Sequence, residues 1–274
     1  MFFDLNIKGS SLENNLILAE QASQYGWNHI NFSYSQDDFF NALKFKKELL
    51  NELEDKLSFD YTLEIKSNNP NEIRKITNKF RKKSSCISVV GGDLKVNRAT
   101  LENIKIDVLS RPYLRRFDSG INHVLSREAA DNNVAIELCF KDVLKSYLSY
   151  RSKVISNFKD IYTLYRKFDF PLILSSRAES VFDIKTTHDF IGLTHGYSSL
   201  YSNNLPIVRK HACLPILIVS FGSVYNTVFF VTFVFHVQSA CAVGIHPRLC
   251  PCGVFGVCKP PTRTVRTRPN AGIV

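Results

Sequence analysis

The sequence predicts an α/β fold, a TIM-like (β/α) barrel of seven or eight parallel strands, and three observations predict it. Short apolar runs rich in β-branched residues recur along the chain, and stretches of helical periodicity separate nearly all of them. Seven such runs fall within the first ~200 residues, and strands joined by right-handed crossovers at that density close into a barrel sooner than they spread into an open sheet. The first strand-to-helix turn, Ile7-Lys-Gly-Ser-Ser, has one glycine and no G-x-G-x-x-G fingerprint, which argues against an open dinucleotide-binding sheet.

The elements follow in order. Phe2 to Ile7 is the first apolar run. Ser10 to Gly26 reads as a helix, with Ser10 and Glu13 as a capping box, Leu12, Leu16, Ala19 and Ala22 as its apolar positions, and Gly26 as its stop. The second unit is His29 to Ser33, then Gln36 to Leu57 with Phe40, Leu43, Leu50 and Leu57 on one face. The third is Tyr61 to Ile65, then Asn71 to Lys82 with Ile73, Ile76 and Phe80 at helical spacing. Cys86 to Val90, Ile106 to Leu109, Val134 to Leu138 and Leu172 to Leu174 are bounded by Gly, Pro, Ser or Asn, as strands covered on both faces should be.

Composition divides the 274 residues near Leu205. Residues 1–204 carry 28 Lys and Arg against 25 acids, +3 of the total +10, whereas residues 205–274 carry seven basic groups and no acid, +7. Five of the seven cysteines and seven of the ten prolines also lie in the second stretch. Only residues 1–204 read as one evolved globular domain. Cys86 and Cys139 lie in apolar runs where a small buried hydrophobe fits, the pattern of a reduced cytoplasmic protein. No basic n-region with an apolar h-region opens the chain, so no secretory signal is expected.

In a (β/α) barrel, chemistry sits at the C-terminal ends of the strands. Here those positions hold Asp4, Asn6, Asn31, Ser33, Glu64, Lys66, Gly91, Gly92, Asp93, Asp107, Ser110, Arg111, Glu137, Ser175, Ser176 and Arg177. A catalytic metal needs at least three converging ligands, yet His29 opens a strand, His123 and His188 fall in helices, and no H-x-H pair occurs. No metal site and no catalytic residue is expected. Asp4, Glu64 and Glu137 read as a buried ionic network with Lys66, Arg111 or Arg177 as partners, in preference to an acid–base pair.

Basic residues are the more informative class. Arg74 to Lys83 has six basic residues in ten, on a helix whose apolar side faces inward, and includes Lys82 and Lys83. In Ser110-Arg-Pro-Tyr-Leu-Arg-Arg-Phe-Asp118, Arg111, Arg115 and Arg116 follow a strand directly, with two aromatics between and after them. Guanidinium forks take phosphates bidentately and aromatic faces stack on exposed bases, so this loop suits RNA. Lys95, Arg98, Arg151, Lys153 and Arg177 are expected to extend the patch.

Five segments carry a resemblance. Phe3-Asp-Leu-Asn-Ile, Ile106-Asp-Val-Leu-Ser-Arg-Pro, Phe117-Asp-Ser-Gly-Ile-Asn-His-Val-Leu-Ser, Asn133-Val-Ala-Ile-Glu-Leu and Pro171-Leu-Ile-Leu-Ser-Ser, in that order, resemble the barrel subunit of archaeal and eukaryotic ribonuclease P, called protein component 3 in archaea. The likeness covers about residues 1–200. It implies a non-catalytic subunit of an RNA-based endoribonuclease that removes 5′ leaders from precursor tRNA. The implied partners are ribonuclease P RNA, a small ferredoxin-like protein subunit, other ribonuclease P proteins and, indirectly, precursor tRNA; this chain binds no cofactor, and Mg2+ is expected for the RNA. The family barrel is similar to the polymerase and histidinol phosphatase barrels, whose first strand ends in a metal-binding H-x-H pair. Here that stretch is Asp4-Leu5-Asn6. A metal-dependent phosphoesterase of that class is the alternative reading. Arg177 departs from the small, glycine-like turn the family usually has after Ser175 and Ser176.

Residues 205–274 carry no such likeness. Pro215 to Phe235 is 21 nearly continuous apolar or small residues, long enough to span a bilayer, but Pro215, Gly222 and Asn226 interrupt it. Strands added to the domain are a second reading, and a non-native or disordered extension is the third, favoured by the absence of acids after Asp189. Cys250, Cys252 and Cys258 lack the paired C-x-x-C of a structural zinc site, and Lys259 to Pro269 reads as a basic proline-rich tail.

Overall fold

A computed structural model describes residues 2–53, 56–102, 105–199, 219–224 and 227–232; for 194–199 and the last two segments it describes the backbone alone. The elements alternate from the start: β1 (Phe3–Lys8), α1 (Leu12–Gln24), β2 (His29–Tyr34), α2 (Gln36–Leu53), β3 (Ser58–Ile65), α3 (Pro70–Phe80), β4 (Cys86–Val90), α4 (Leu94–Glu102), β5 (Val108–Ser110), α5 (His123–Asp131) and β6 (Ala135–Cys139). Two helices, α6 (Phe140–Leu144) and α7 (Leu148–Phe168), precede β7 (Leu172–Ser175), and a single 3-10 turn, Val181–Asp183, leads to α8 (Thr187–Ser199).

All seven strands pair in parallel, in chain order. A bridge between Ile7 and Ala178 joins the two ends of the sheet, with the Lys8 N–H donating to Ala178 O at 2.8 Å. Of the seven or eight strands expected, the sheet has seven among the described residues, and this bridge stands where an eighth would pair.

Strand alternation sorts the side chains into two layers. Ile30, Phe32, Leu63, Ile87, Val89, Leu109, Ile136 and Leu138 join the large cluster that also holds the helices' apolar faces, including Leu18, Phe39, Leu49, Ile73, Phe80 and Phe158. Leu5, Cys86, Val108, Ala135 and Ile173, from five strands, form a separate small cluster with Phe3 against it. Above that plug the strands carry polar residues, Asn6, Ser33, Thr62, Ser88, Ser110, Glu137 and Ser175, all buried. Cys86 and Cys139 are buried free thiols.

Three expectations need correction. The N-cap of α1 is Ser11, whose hydroxyl accepts the Asn14 N–H, and Ser10 instead accepts the Asn14 side chain. Helix α2 buries Phe39, Ala42, Leu49 and Leu53, leaving Phe40 and Leu50 exposed. The expected face took Phe40 and Leu50, the second members of the doublets Phe39-Phe40 and Leu49-Leu50, whereas the packed face takes the first members; Leu57, expected on this helix, is buried but lies beyond its end. Asp107 lies before β5, not after it, so it is at the N-terminal end of the barrel, where it takes Arg81 Nη2 at 2.8 Å and the Ile87 N–H at 2.8 Å.

Within the apolar stretch 215–235, Val219–Val224 and Thr227–Thr232 form a two-stranded antiparallel sheet of their own. No described helix is long and apolar enough to cross a membrane. The junction at 204/205, Cys250, Cys252, Cys258 and the segment 259–269 lie outside the described residues.

Candidate nucleic-acid interface

At the C-terminal mouth of the barrel, Glu64 is held between two cations, Lys8 and Arg177. Burial pushes the Glu64 carboxyl up, but the charges of Lys8 and Arg177 more than offset it and bring it down to about 2. Burial likewise pulls the Lys8 ammonium down, against the attraction of Glu64. Arg177 has φ +52, the left-handed region that favours glycine, which accounts for the glycine-like turn expected there. Its ion pair holds a non-glycine residue in that conformation.

One layer deeper the donors are neutral. Asn6 Nδ2 donates to Glu137 Oε1 at 3.0 Å, Ser175 Oγ donates to the same oxygen at 2.5 Å, and Ser33 Oγ donates to Asn6 Oδ1 at 2.7 Å. Asp4 Oδ1 accepts the Ser176 N–H at 3.1 Å, and burial pushes this carboxyl up to about 7 in spite of that bond. His29 Nε2 lies 2.8 Å from Asn31 Oδ1, and burial pulls its imidazole down. The expected ionic network is therefore real for Glu64 with Arg177, but Lys66 is exposed and Arg111 serves another carboxylate. Each of the three carboxylates already has its own donors, and among the described residues no three His, Cys, Asp or Glu are grouped to hold a metal ion.

The loop after β5 is built on a buried anchor. Arg111, at φ +54, donates Nε and Nη2 to Asp142 of α6, each at 2.7 Å, and the Tyr113 hydroxyl donates to Asp142 Oδ2 at 2.8 Å. Of the carboxylates the sequence offered Arg111, Glu137 does not pair with its guanidinium; only the Arg111 N–H meets the Glu137 carbonyl, at 3.1 Å. Asn97 of α4 pins the loop from below, donating to Pro112 O at 3.0 Å and Gly120 O at 2.9 Å. Gly120 has φ +74, and a Cβ there would meet Pro112 O at 2.0 Å, so only glycine passes. Arg116 pairs with Asp118 at 2.6 Å and donates to Gly92 O at 3.2 Å. Arg115, at φ +57, is exposed and has no carboxylate partner among the described residues.

The expected basic residues thus divide. Arg111, Arg116 and Arg177 are committed to protein carboxylates, and Arg98 pairs with Glu102 one helical turn on, at 2.7 Å. The Arg116–Gly92 contact brings the start of α4, with exposed Lys95, beside the loop. Lys153 of α7 places its Nζ 5.9 Å from the Phe117 ring centroid, and Arg151 donates to Ser146 O at 2.8 Å and Leu144 O at 3.2 Å. Lys82 and Lys83 are elsewhere: they follow α3 at the N-terminal end of the strands, with Lys83 Nζ 4.7 Å over Phe40. Of the two loop aromatics, Tyr113 is buried and Phe117 is 91 % exposed. Sequence reasoning missed Lys141, 2.7 Å from Glu179 and 3.2 Å from Asp183, and the exposed Tyr147, Leu148 and Tyr150. A helical Lys141 next to apolar neighbours gives no sign of a partner 38 residues away, but a Tyr-Leu-x-Tyr run between polar residues was a visible signal.

The family model described as RNase P subunit p30 matches residues 1–199. A ribonuclease P protein component 3 from Methanothermobacter thermautotrophicus is 44% identical over 194 residues, 70% of this chain and 79% of that protein. One from Methanococcus vannielii is 38% identical over 176 residues, 62% of this chain and 73% of that protein. Among solved structures, a chain in the cryo-EM structure of archaeal ribonuclease P with mature tRNA is similar at a TM-score of 0.60 and 29% identity, covering 77% of this chain and 97% of that one. A histidinol phosphate phosphatase from Lactococcus lactis, solved with zinc, histidinol and phosphate, matches at a TM-score of 0.53 and 11% identity over 72% of this chain and 93% of that one, which shows the barrel fold alone.

Proposed function

The chain belongs to the RNase P subunit p30 family, and from that premise we propose that it supports the catalytic RNA of ribonuclease P in removing 5′ leaders from precursor tRNA, without cleaving RNA itself. It is a protein subunit of ribonuclease P. The observation that carries this is the likeness to a chain of archaeal ribonuclease P along 97% of that chain's length. The geometry agrees: Glu64 at the barrel mouth is paired with Lys8 and Arg177, while among the described residues Arg115, Lys95, Arg151 and Lys153 have no carboxylate partner on the flank beside it. Cations on a rigid surface attract a phosphate backbone whatever its sequence. The RNA-contacting set is Lys95, Arg115, Arg151 and Lys153, with Arg98 at its edge and Lys82 and Lys83 as a separate contact at the opposite end of the barrel.

The further partners in this reading are a small ferredoxin-like ribonuclease P protein and the other protein subunits, with Mg2+ serving the RNA and not this chain, in the cytoplasm. Reconstitution tests it. A minimal holoenzyme assembled with this chain should cleave precursor tRNA at lower Mg2+ or faster than one without it, and the purified chain alone should not cleave. Unchanged activity on omission, or cleavage by the protein alone, overturns the reading. The phosphoesterase alternative predicts hydrolysis of a generic phosphate ester with manganese or zinc, lost on substitution of Asn6.

A further inference from the structure

Phe117 is 91 % exposed, Leu148 90 %, Tyr147 77 % and Tyr150 53 %. Side chains of this size are usually withdrawn from water, and an exposed cluster of them marks a contact surface. They are also displayed on backbone that is tied down. The loop bearing Phe117 is pinned by Asn97 and by the Arg111–Asp142–Tyr113 contacts, and the segment leading into α7 is held by Arg151 on Leu144 O and Ser146 O. Leu148 has φ +43, a conformation that a bulky residue adopts only where its surroundings impose it. Lys153 over the Phe117 ring joins the two segments, Tyr150 and Lys153 are three residues apart on α7, where such residues are surface neighbours, and Tyr147 is the N-cap of that helix.

Charge selects the occupant. Arg115, Arg151 and Lys153 have no carboxylate partner among the described residues, and the nearby Asp118 is already neutralised by Arg116. An aromatic face rimmed by uncompensated cations suits a polyanion that carries flat rings. In a duplex the base faces are stacked on one another, so an aromatic side chain reaches them only where nucleotides are unpaired. We propose that Phe117, with Arg115 and Lys153 at its rim and the exposed Tyr147 and Tyr150 at the start of α7, is a stacking platform for unpaired nucleotides of RNA. This deepens the subunit reading, on which it rests for the identity of the RNA presented.

The test uses the full chain and a fluorescently labelled oligouridylate of about twelve nucleotides, with an RNA duplex of equal length as comparison. Fluorescence anisotropy should show the single strand bound more tightly than the duplex. Phe117→Ala should weaken single-strand binding about tenfold, leave the duplex and the salt dependence unchanged, and be rescued by Phe117→Trp. Because the ring is in solvent, the melting temperature should not move. Equal loss on both nucleic acids, or single-strand binding within about twofold of the parent, overturns the proposal. So does unchanged RNA affinity with loss of a protein subunit from a reconstituted holoenzyme, which would make the patch a protein-docking face. If reconstitution shows no need for the chain while Phe117-dependent single-strand binding persists, the platform stands and only the subunit reading fails.

Discussion

Arg111 and Asp142 meet side-on, Nε and Nη2 each making a hydrogen bond of 2.7 Å, and join a guanidinium and a carboxylate that are each 15 % exposed. Bidentate geometry makes this a strong pair, and its removal strands Asp142 with only the Tyr113 hydroxyl. Arg111→Ala should therefore lower stability by about 2–3 kcal/mol, below the range for a fully buried pair because of the residual exposure. Denaturant unfolding gives the loss, and RNA-binding titrations should show the slope of log affinity against log salt unaltered. A shallower slope at unchanged stability would mean that Arg111 leaves Asp142 to meet phosphate.

Arg115 should behave in the opposite way. It is exposed and unpaired among the described residues, so Arg115→Gln removes one cation from the RNA footprint and nothing from the fold. The salt slope should shallow by up to about one unit, with stability within about 0.5 kcal/mol of the parent. A large fall in melting temperature would count against this assignment.

Asp4 sets a pH dependence. Its carboxyl titrates near 3.8 in the unfolded chain and about 7 in the folded one, so folding binds a proton and Asp4 disfavours the fold increasingly as pH rises from about 4 to about 7. Asp4→Asn keeps the acceptor for the Ser176 N–H and cannot ionise. Relative to the parent, the variant should gain stability between pH 5 and pH 8, by about 2–3 kcal/mol. Parallel urea titrations at the two pH values check this, and curves that keep the same separation at both would refute it.

Glu64 works with the reverse sign. Its carboxyl is held at about 2, below the 4.5 of the unfolded chain, so its contribution is full above about 4.5 and disappears as pH falls toward 2. Glu64→Gln leaves Lys8 and Arg177 facing each other without an anion and should destabilise by about 3 kcal/mol at neutral pH. Arg177→Gly is the informative companion. Glycine relieves the φ +52 conformation, worth about 1 kcal/mol, but strips Glu64 of one of its two cations, which costs more, so the net change should be destabilising. A stabilised Arg177→Gly variant would show that backbone strain outweighs the ion pair.

Much of the barrel was legible because strands buried on both faces and helices of 3.6-residue period leave different marks in sequence. Cys86–Val90 matches in both ends, β3 begins three residues before the expected Tyr61, and the other strands shift by a residue or two. What misled was degeneracy: the doublets Phe39-Phe40 and Leu49-Leu50 offer two apolar faces one residue apart, and only packing against α1, β2 and β3 chooses between them. The arginine loop was legible as a composition and not as a set of contacts. Arg111, Arg115 and Arg116 read alike in sequence, yet their partners, Asp142, none among the described residues and Asp118, lie 31 and two positions away where they exist. Charge near in sequence says little about charge near in space. The left-handed turn after Ser176 was legible only through the family resemblance, since Arg177 itself gives no local sign of a backbone that favours glycine.

The bridge that joins Ile7 to Ala178 bears on how the molecule is made. Asp4 and Ser176, which hydrogen-bond beside it, are 172 positions apart, so on the ribosome β1 emerges early and must wait for nearly the whole of the described barrel to be synthesised before its second edge is covered. Until then a nascent chain has an open strand edge at each end of a growing sheet, β1 on one side and the newest strand on the other. Such edges pair indiscriminately with other chains, and closure over so long a loop is slow. Truncation before residue 178 therefore leaves a product that retains its elements and lacks its enclosure, and such a product is expected in aggregates and with chaperones instead of in the assembled enzyme.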